Sequence, residues 1–395
     1  MRTDRRERST PHPVYERLGE RARLAWDTIE HRPTQGIPTK GMNLMHVPLM
    51  EELAGVPPGD YEQDPEGVYL ACQKAIGACA IDQWIPRNPL TMTATGYDNH
   101  RERDATTGAE RIECDGVLID SPEAVAMHLE RLVFPGLEKD IAACDPDDDA
   151  AVRALIDMER DCQQAFGPNL LKIPYAGGFQ TKPSLRYRMY GYANYFMAYA
   201  LYPGLMETDF RLQADLAAKR NAVAARAYAE GALPKLLRLD HDMADSRGTL
   251  VDVKSLDRIW FPHFARAVRP LLDAGVNLIW HCDGNLMDMV PRLLDVGLVG
   301  FQGFQYEAGM DYRRICAMRT RDGEPLIIQA GVSVTTTLPH GTRQDVKREL
   351  DFLVANGPPT GLFLGASSSI TPGTNPENVK TLVQGLAYYR EHGRN

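Results

Sequence analysis

Short apolar runs suited to strands alternate with stretches of helical spacing from Gly36 to the end of the chain. The runs are "GIPTKGMN" from Gly36, "ACAIDQWIP" from Ala78, "NLLKIPYAGG" from Asn169 and "PKLLRLDHD" from Pro234. They continue with "VNLIWHCDG" from Val276, "GLVGFQGFQ" from Gly297, "PLIIQAGVS" from Pro325 and "TGLFLGASSS" from Thr360. Apolar residues fall on both faces of these runs, the pattern of parallel strands covered by helices. Between them, "DMVPRLLDVG" and "RQDVKRELDFLVANG" carry apolar residues at helical spacing and stop at glycine. Eight strand–helix units in series predict an α/β fold, a single (β/α)₈ TIM barrel over residues 1–395. A doubly wound open sheet is the alternative.

One segment breaks the rhythm. Residues 93–120, "TATGYDNHRERDATTGAERIECDGVLID", predict a β-hairpin turned around "DATTG" and inserted after the second strand. Residues 1–12 are basic with no apolar core behind them, which predicts a flexible tail rather than a secretory signal.

Composition narrows the class without naming the chemistry. The 395 residues are 44% hydrophobic and 25% charged, ordinary for a soluble globular protein. A net charge of −9 argues against a nucleic-acid partner. No apolar run reaches the roughly 18 residues that span a bilayer, so no membrane association is expected. The seven cysteines are scattered and form no CxxC pair, which fits reduced thiols in a cytoplasm. There is no GxGxxG after the first strand, no GxxxxGK[ST], no HExxH and no GxSxG. Nucleotide-dependent and serine-hydrolase chemistry therefore find no support.

In a barrel of this class the chemistry sits where strands end. The fourth run ends in Asp240-His241-Asp242 and the fifth in His281-Cys282-Asp283. Side chains alternate along a strand, so His281 and Asp283 point together while Cys282 points away. An imidazole and a carboxylate two apart can share a metal ion if a third ligand arrives from another loop; hydrogen bonds to neighbours at a strand end are the plainer alternative. Cys282 reads as a packed, inert thiol. Asp242 is a candidate general acid, substrate anchor or metal ligand. Asn43 and Tyr175 end the first and third runs, and the eighth runs into Ser367-Ser368-Ser369. Asn43, Tyr175, His241 and Ser368 are expected to line a substrate pocket.

Three blocks carry a resemblance: "DHDMADSRGTLVD", "FPHFARAVRPLLDAGVNLIWHCDGNLMDMVPRLLDVGLVGFQGFQYEAGMD" and "LFLGASSSITPGTNPENV". In order and spacing the chain resembles the uroporphyrinogen decarboxylase superfamily, which implies a (β/α)₈ barrel. True uroporphyrinogen decarboxylases carry an Arg-rich segment after the first strand that positions the acidic arms of the porphyrinogen. Here "IPTKGMNLMHVPLM" has one Lys and no Arg, which argues against that reaction. The other branch contains zinc-dependent methyltransferases that work with corrinoid proteins. Its thiol-methylating members carry His-x-Cys after the fifth strand and a further Cys after the eighth. Here the His matches His281, but Asp283 and Ser368 stand at the cysteine positions.

Oxygen and nitrogen ligands leave zinc a harder, stronger Lewis acid than thiolates do. The resemblance thus implies a methyltransferase or demethylase that moves a methyl group from a small methoxy- or amine-type donor to a corrinoid protein. His281, Asp283 and Glu307 are the expected Zn²⁺ ligands, with Glu307 chosen because it follows the adjacent strand. Asp242 and His281 are the expected catalytic groups. Two other readings compete: a metal-independent decarboxylase or lyase using Asp242 and Tyr175 on a small acid, and a non-catalytic tetrapyrrole- or corrinoid-binding barrel. A homodimer is left open.

Overall fold

The structure, a computed structural model, describes residues 14–93, 96–97, 111–175, 178–179 and 181–394. The tail expected over residues 1–12 lies outside them. Seven of the eight apolar runs form strands: β1 (Ala80–Ile81), β2 (Leu171–Lys172), β3 (Leu236–Asp240), β4 (Asn277–His281), β5 (Gly300–Gln302), β6 (Ile327–Val332) and β7 (Leu362–Ala366). β3 to β7 make one parallel five-stranded sheet in sequence order, and β1 pairs with β2.

The first run joins the two sheets without becoming a strand. Thr39 bridges Leu364 of β7, and Lys40 bridges Ala80 of β1, both in parallel. Pro38 has no N–H to give a ladder, and Gly36 and Gly41 bring no side chain to pack, so the pairing here is reduced to isolated bridges. Parallel pairing thus passes from β3 through β7, across residues 39–40, to β1 and β2. This is the strand order expected of the barrel. Between β2 and β3 no ladder forms among the described residues.

Alternation along the strands sorts the interior into levels. Leu171, Ile173, Leu236, Ile279, Ile327 and Phe363 form one apolar cluster with Ala22, Ala25, Trp26 and Ile29 of helix α1 (Glu20–Ile29). The alternate residues Leu237, Leu239, Leu278, Trp280, Ile328 and Leu364 belong to the main core beneath the surrounding helices. Two residues beyond the apolar level the inward positions turn polar: Arg238 follows Leu236 and Gln329 follows Ile327, both buried. One end of the strand array is therefore plugged by α1, and the other carries charge.

The segment expected to form an inserted hairpin is described only in part. Met92–Thr93 pair with Gly96–Tyr97, and Glu113–Cys114 pair with Val117–Leu118, both antiparallel. The second pair turns on Asp115 and Gly116, both at positive φ, as an Asp-Gly two-residue hairpin requires. The described parts are thus two tight local pairs, and the turn expected at "DATTG" lies outside the described residues.

If α1 is a structural plug, Trp26→Ala should cost about 3–5 kcal/mol of stability, read from chemical denaturation. A loss below about 1 kcal/mol would show that the helix merely rests on the strands.

Candidate metal and substrate site

At the polar end the strand termini surround a cavity of about 1050 Å³. Asp242, His281 and Asp283 each place a ligand atom there, all within 4.8 Å of one another. His281 ends β4 and Asp283 follows it by two, so alternation sends both to the same side. Cys282 between them is buried, its Sγ accepting from the Met243 N–H at 3.3 Å, and burial pushes its thiol up to about 12. The sequence reading of this tripeptide matches the geometry.

The three groups differ in how they are held. Asp242 accepts from the Asp283 N–H at 3.1 Å through Oδ1 and from Arg188 at 3.0 Å through Oδ2. The imidazole of His281 lies against Gly303, whose φ of +82° suits glycine; a Cβ there would stand 2.5 Å from Nδ1. Burial pushes the Asp283 carboxyl up; His281 and a hydrogen bond from Ser368 oppose that, and Asp242 and Asp240 add to it. Nδ1 of His281 and Oδ1 of Asp283 are buried without a hydrogen-bond partner. The imidazole and the orphaned Asp283 oxygen, beside the Asp242 carboxylate, fit a divalent cation, and the set is all oxygen and nitrogen.

Below the triad lies a charged layer that the sequence reading did not single out. The Arg238 guanidinium sits between Asp82 at 3.1 Å and Asp240 at 3.2 Å, donates to Gln302 at 2.8 Å, and lies over the Tyr175 ring at 5.1 Å. Tyr175 donates to Asp240 at 2.6 Å and accepts from Gln83 at 3.1 Å. Burial, then the charge of Asp240, moves its phenol above the ordinary tyrosine range. Lys182 donates to the Asp240 carbonyl at 2.8 Å, and burial lowers its ammonium to about 8. The signal for this layer was an arginine inside the apolar run "LLRLD", a charge no strand buries without partners.

Other expected residues fall in three groups. Asn43, Tyr175, His241 and Ser368 all line the cavity. His241 is nevertheless tied to the protein. Its Nε2 accepts from the Leu185 N–H at 2.9 Å, and its ring stacks on Tyr187 at 5.7 Å. Glu307 is not among the clustered ligands. It accepts from Ser333 at 3.2 Å and from Thr335, at the start of the loop after β6. Following the adjacent strand did not bring it to His281, because its short 3₁₀ turn, Tyr306–Ala308, aims it at that neighbouring loop. The third group beside His281 and Asp283 is Asp242, expected as a general acid, substrate anchor or metal ligand. His46, a further polar residue after the first run, accepts from the Leu49 N–H and caps the helix Val47–Ala54.

Residues 241–388 match the family model described as uroporphyrinogen decarboxylase. Over that segment, which is less than half of the chain, the protein is similar to the uroporphyrinogen decarboxylase family. The triad lies inside the matched segment, whereas Lys40, Asp82, Tyr175, Arg238 and Asp240 lie before it. A solved structure of a methyltransferase from Methanosarcina mazei is similar over 93% of this chain and 98% of that one, at 15% identity and a TM-score of 0.55. That likeness shows a shared fold. A protein described as a vitamin-B12-independent methionine synthase from Listeria monocytogenes is more distant, at 12% identity over 91% of this chain and 99% of that one. Its TM-score of 0.41 bears no argument. No curated protein sequence matches the chain. No helix among its described residues is long and apolar enough to cross a membrane.

Burial, with Lys182 and Arg188 nearby, holds the His241 imidazole down at about 3. An unfolded His takes up its proton near pH 6.5. The contribution of neutral His241 is thus complete above pH 6.5 and is lost as pH falls from there toward 3. Between pH 7.5 and pH 5 the unmodified protein should lose about 1–2 kcal/mol more than His241→Gln, measured by urea denaturation. Equal losses would place a proton on the folded imidazole.

Proposed function

We propose that this protein is a uroporphyrinogen-decarboxylase-like methyltransferase acting on a small methylated donor, its eight parallel runs closing into a (β/α)₈ barrel with the Tyr175–Asp240 hydrogen bond spanning the β2–β3 seam. The observation that carries the reading is the triad of Asp242, His281 and Asp283 at the strand ends, with its orphaned buried donor atoms and no thiolate. When bound there, Zn²⁺ would supply Lewis-acid polarisation of a donor's ether oxygen or amine nitrogen, and a corrinoid carried by a partner protein would accept the methyl group.

The chain's own residues prepare the site. Arg188 and the Asp283 N–H fix both oxygens of Asp242, and Ser368 steadies Asp283, so the ligand set is oriented before any substrate arrives. His241, locked by the Leu185 N–H and stacked on Tyr187, forms a rigid neutral wall at the mouth. Tyr192, half exposed at the same rim, leaves the mouth open on one side. The cavity volume of about 1050 Å³ leaves ample room for a small organic donor.

Protein purified without an affinity tag should carry about one equivalent of zinc by elemental analysis. His281→Ala and Asp242→Asn should lose most of it, while Glu307→Gln and Cys282→Ala keep it. The zinc-loaded protein should demethylate a methoxylated donor in the presence of free reduced cobalamin, followed by its absorbance change. Equal zinc in all four variants would remove the site, and turnover without metal would favour a decarboxylase or lyase instead.

A further inference from the structure

The wall of the cavity facing the triad carries polar groups that the proposed methyl transfer leaves unused. Counting runs around the strand order, residues 39–40 stand four places from β4, on the far side of the ring from His281. Lys40 lines the cavity there, is only 8% exposed, and its ammonium has no hydrogen-bond or ion-pair partner among the described residues. Its stem is laid across β7 at Gly365, where a Cβ would meet the Lys40 side chain at 2.7 and 2.9 Å. Glycine inside a strand commonly marks such a close approach. Lys40 is thus a seated side chain and not a solvated one.

Two further groups on this wall are unspent. Gln329 of β6, the strand next to β7, lines the cavity and makes no side-chain hydrogen bond among the described residues. Asn43 gives its amide to Ser369 at 2.7 Å and leaves Oδ1 buried without a partner. The other cations lining the cavity are engaged, Arg238 with Asp82 and Asp240 and Arg188 with Asp242, and Lys182, which does not line it, donates to the Asp240 carbonyl. Asp82, Asp240 and Asp283 act on Lys40 only through space, and burial with Arg238 nearby lowers its ammonium to about 7. A divalent cation on the triad would leave the cavity with excess positive charge. A buried charge needs a counter-charge, and none of the protein's carboxylates touches this one.

Resting on the methyltransferase reading, we propose that Lys40, with the Gln329 amide on the same wall, is an anion subsite that selects a methyl donor carrying a carboxylate. The carboxylate sits on Lys40 and Gln329 while the methyl-bearing heteroatom reaches across to the triad. A carboxylate fits better than a phosphate because the wall offers one cation and neutral amides, with no second cation turned toward the ligand.

The test is binding by calorimetry to the protein as purified, with methoxyacetate and 4-methoxybenzoate, each against its neutral amide. Each effective acid should bind roughly 10- to 100-fold more tightly than its amide, the range set by one charge-assisted contact. Lys40→Met should erase the preference and Lys40→Arg should restore much of it, with the denaturation midpoint of each variant checked for folding. The subsite is overturned if neither acid outbinds its amide, if Lys40→Met keeps the preference, or if inorganic phosphate competes better than the acids. Because binding needs no turnover, the two readings fail separately. Acid selection through Lys40 without methyl transfer upholds the subsite and sinks the activity. Equal transfer from acid and amide upholds the activity and sinks the subsite.

Discussion

Arg238 carries its charge into the interior of the strand array, where it persists only because Asp82 and Asp240 flank it. The three groups come from β3 and from the end of β1, and Tyr175, following β2, lies against the guanidinium and bonds Asp240. Gln302 of β5 takes a further N–H. One side chain thus ties together four strands, including the two that share no ladder. Removing one partner of such a pair typically costs about 3–5 kcal/mol, since it strands a buried charge. The arrangement fixes the strand ends relative to one another, and the cavity is built on those ends.

From that layer the site follows by alternation. Inward positions run from apolar Leu236 to Arg238 to Asp240 on β3, and from Ile279 to His281 on β4. The apolar level with α1 beneath it excludes water from one side of the charged layer. The open side gives Asp242, His281 and Asp283 access to solvent and ligand. A low-dielectric floor strengthens every charge above it, and that is where an oxygen- and nitrogen-ligated cation acts most strongly as a Lewis acid.

Much of this was legible before folding. Period-two reasoning separated Cys282 from His281 and Asp283, and run counting found the strand order. What the sequence concealed was three-dimensional reach. Glu307 looked suitable because it follows the neighbouring strand, yet a single 3₁₀ turn hands it to Ser333 and Thr335. Asp242 could be read as acid, substrate anchor or metal ligand alike, because the spacing within "DHD" says nothing of which neighbour its loop approaches. Arg238 and Lys40 stood in plain view as charges within apolar runs, but their meaning depends on groups far away in the chain, Asp82 beside Arg238 and Gly365 beneath the Lys40 stem.

The central claim is a cation held by one imidazole and carboxylate oxygens, with the adjacent thiol turned away. X-ray absorption at the zinc edge of the loaded protein tests it most directly. The account predicts a first shell of oxygen and nitrogen alone at about 2.0–2.2 Å. A sulfur scatterer near about 2.3 Å would bring Cys282 to the metal and contradict it.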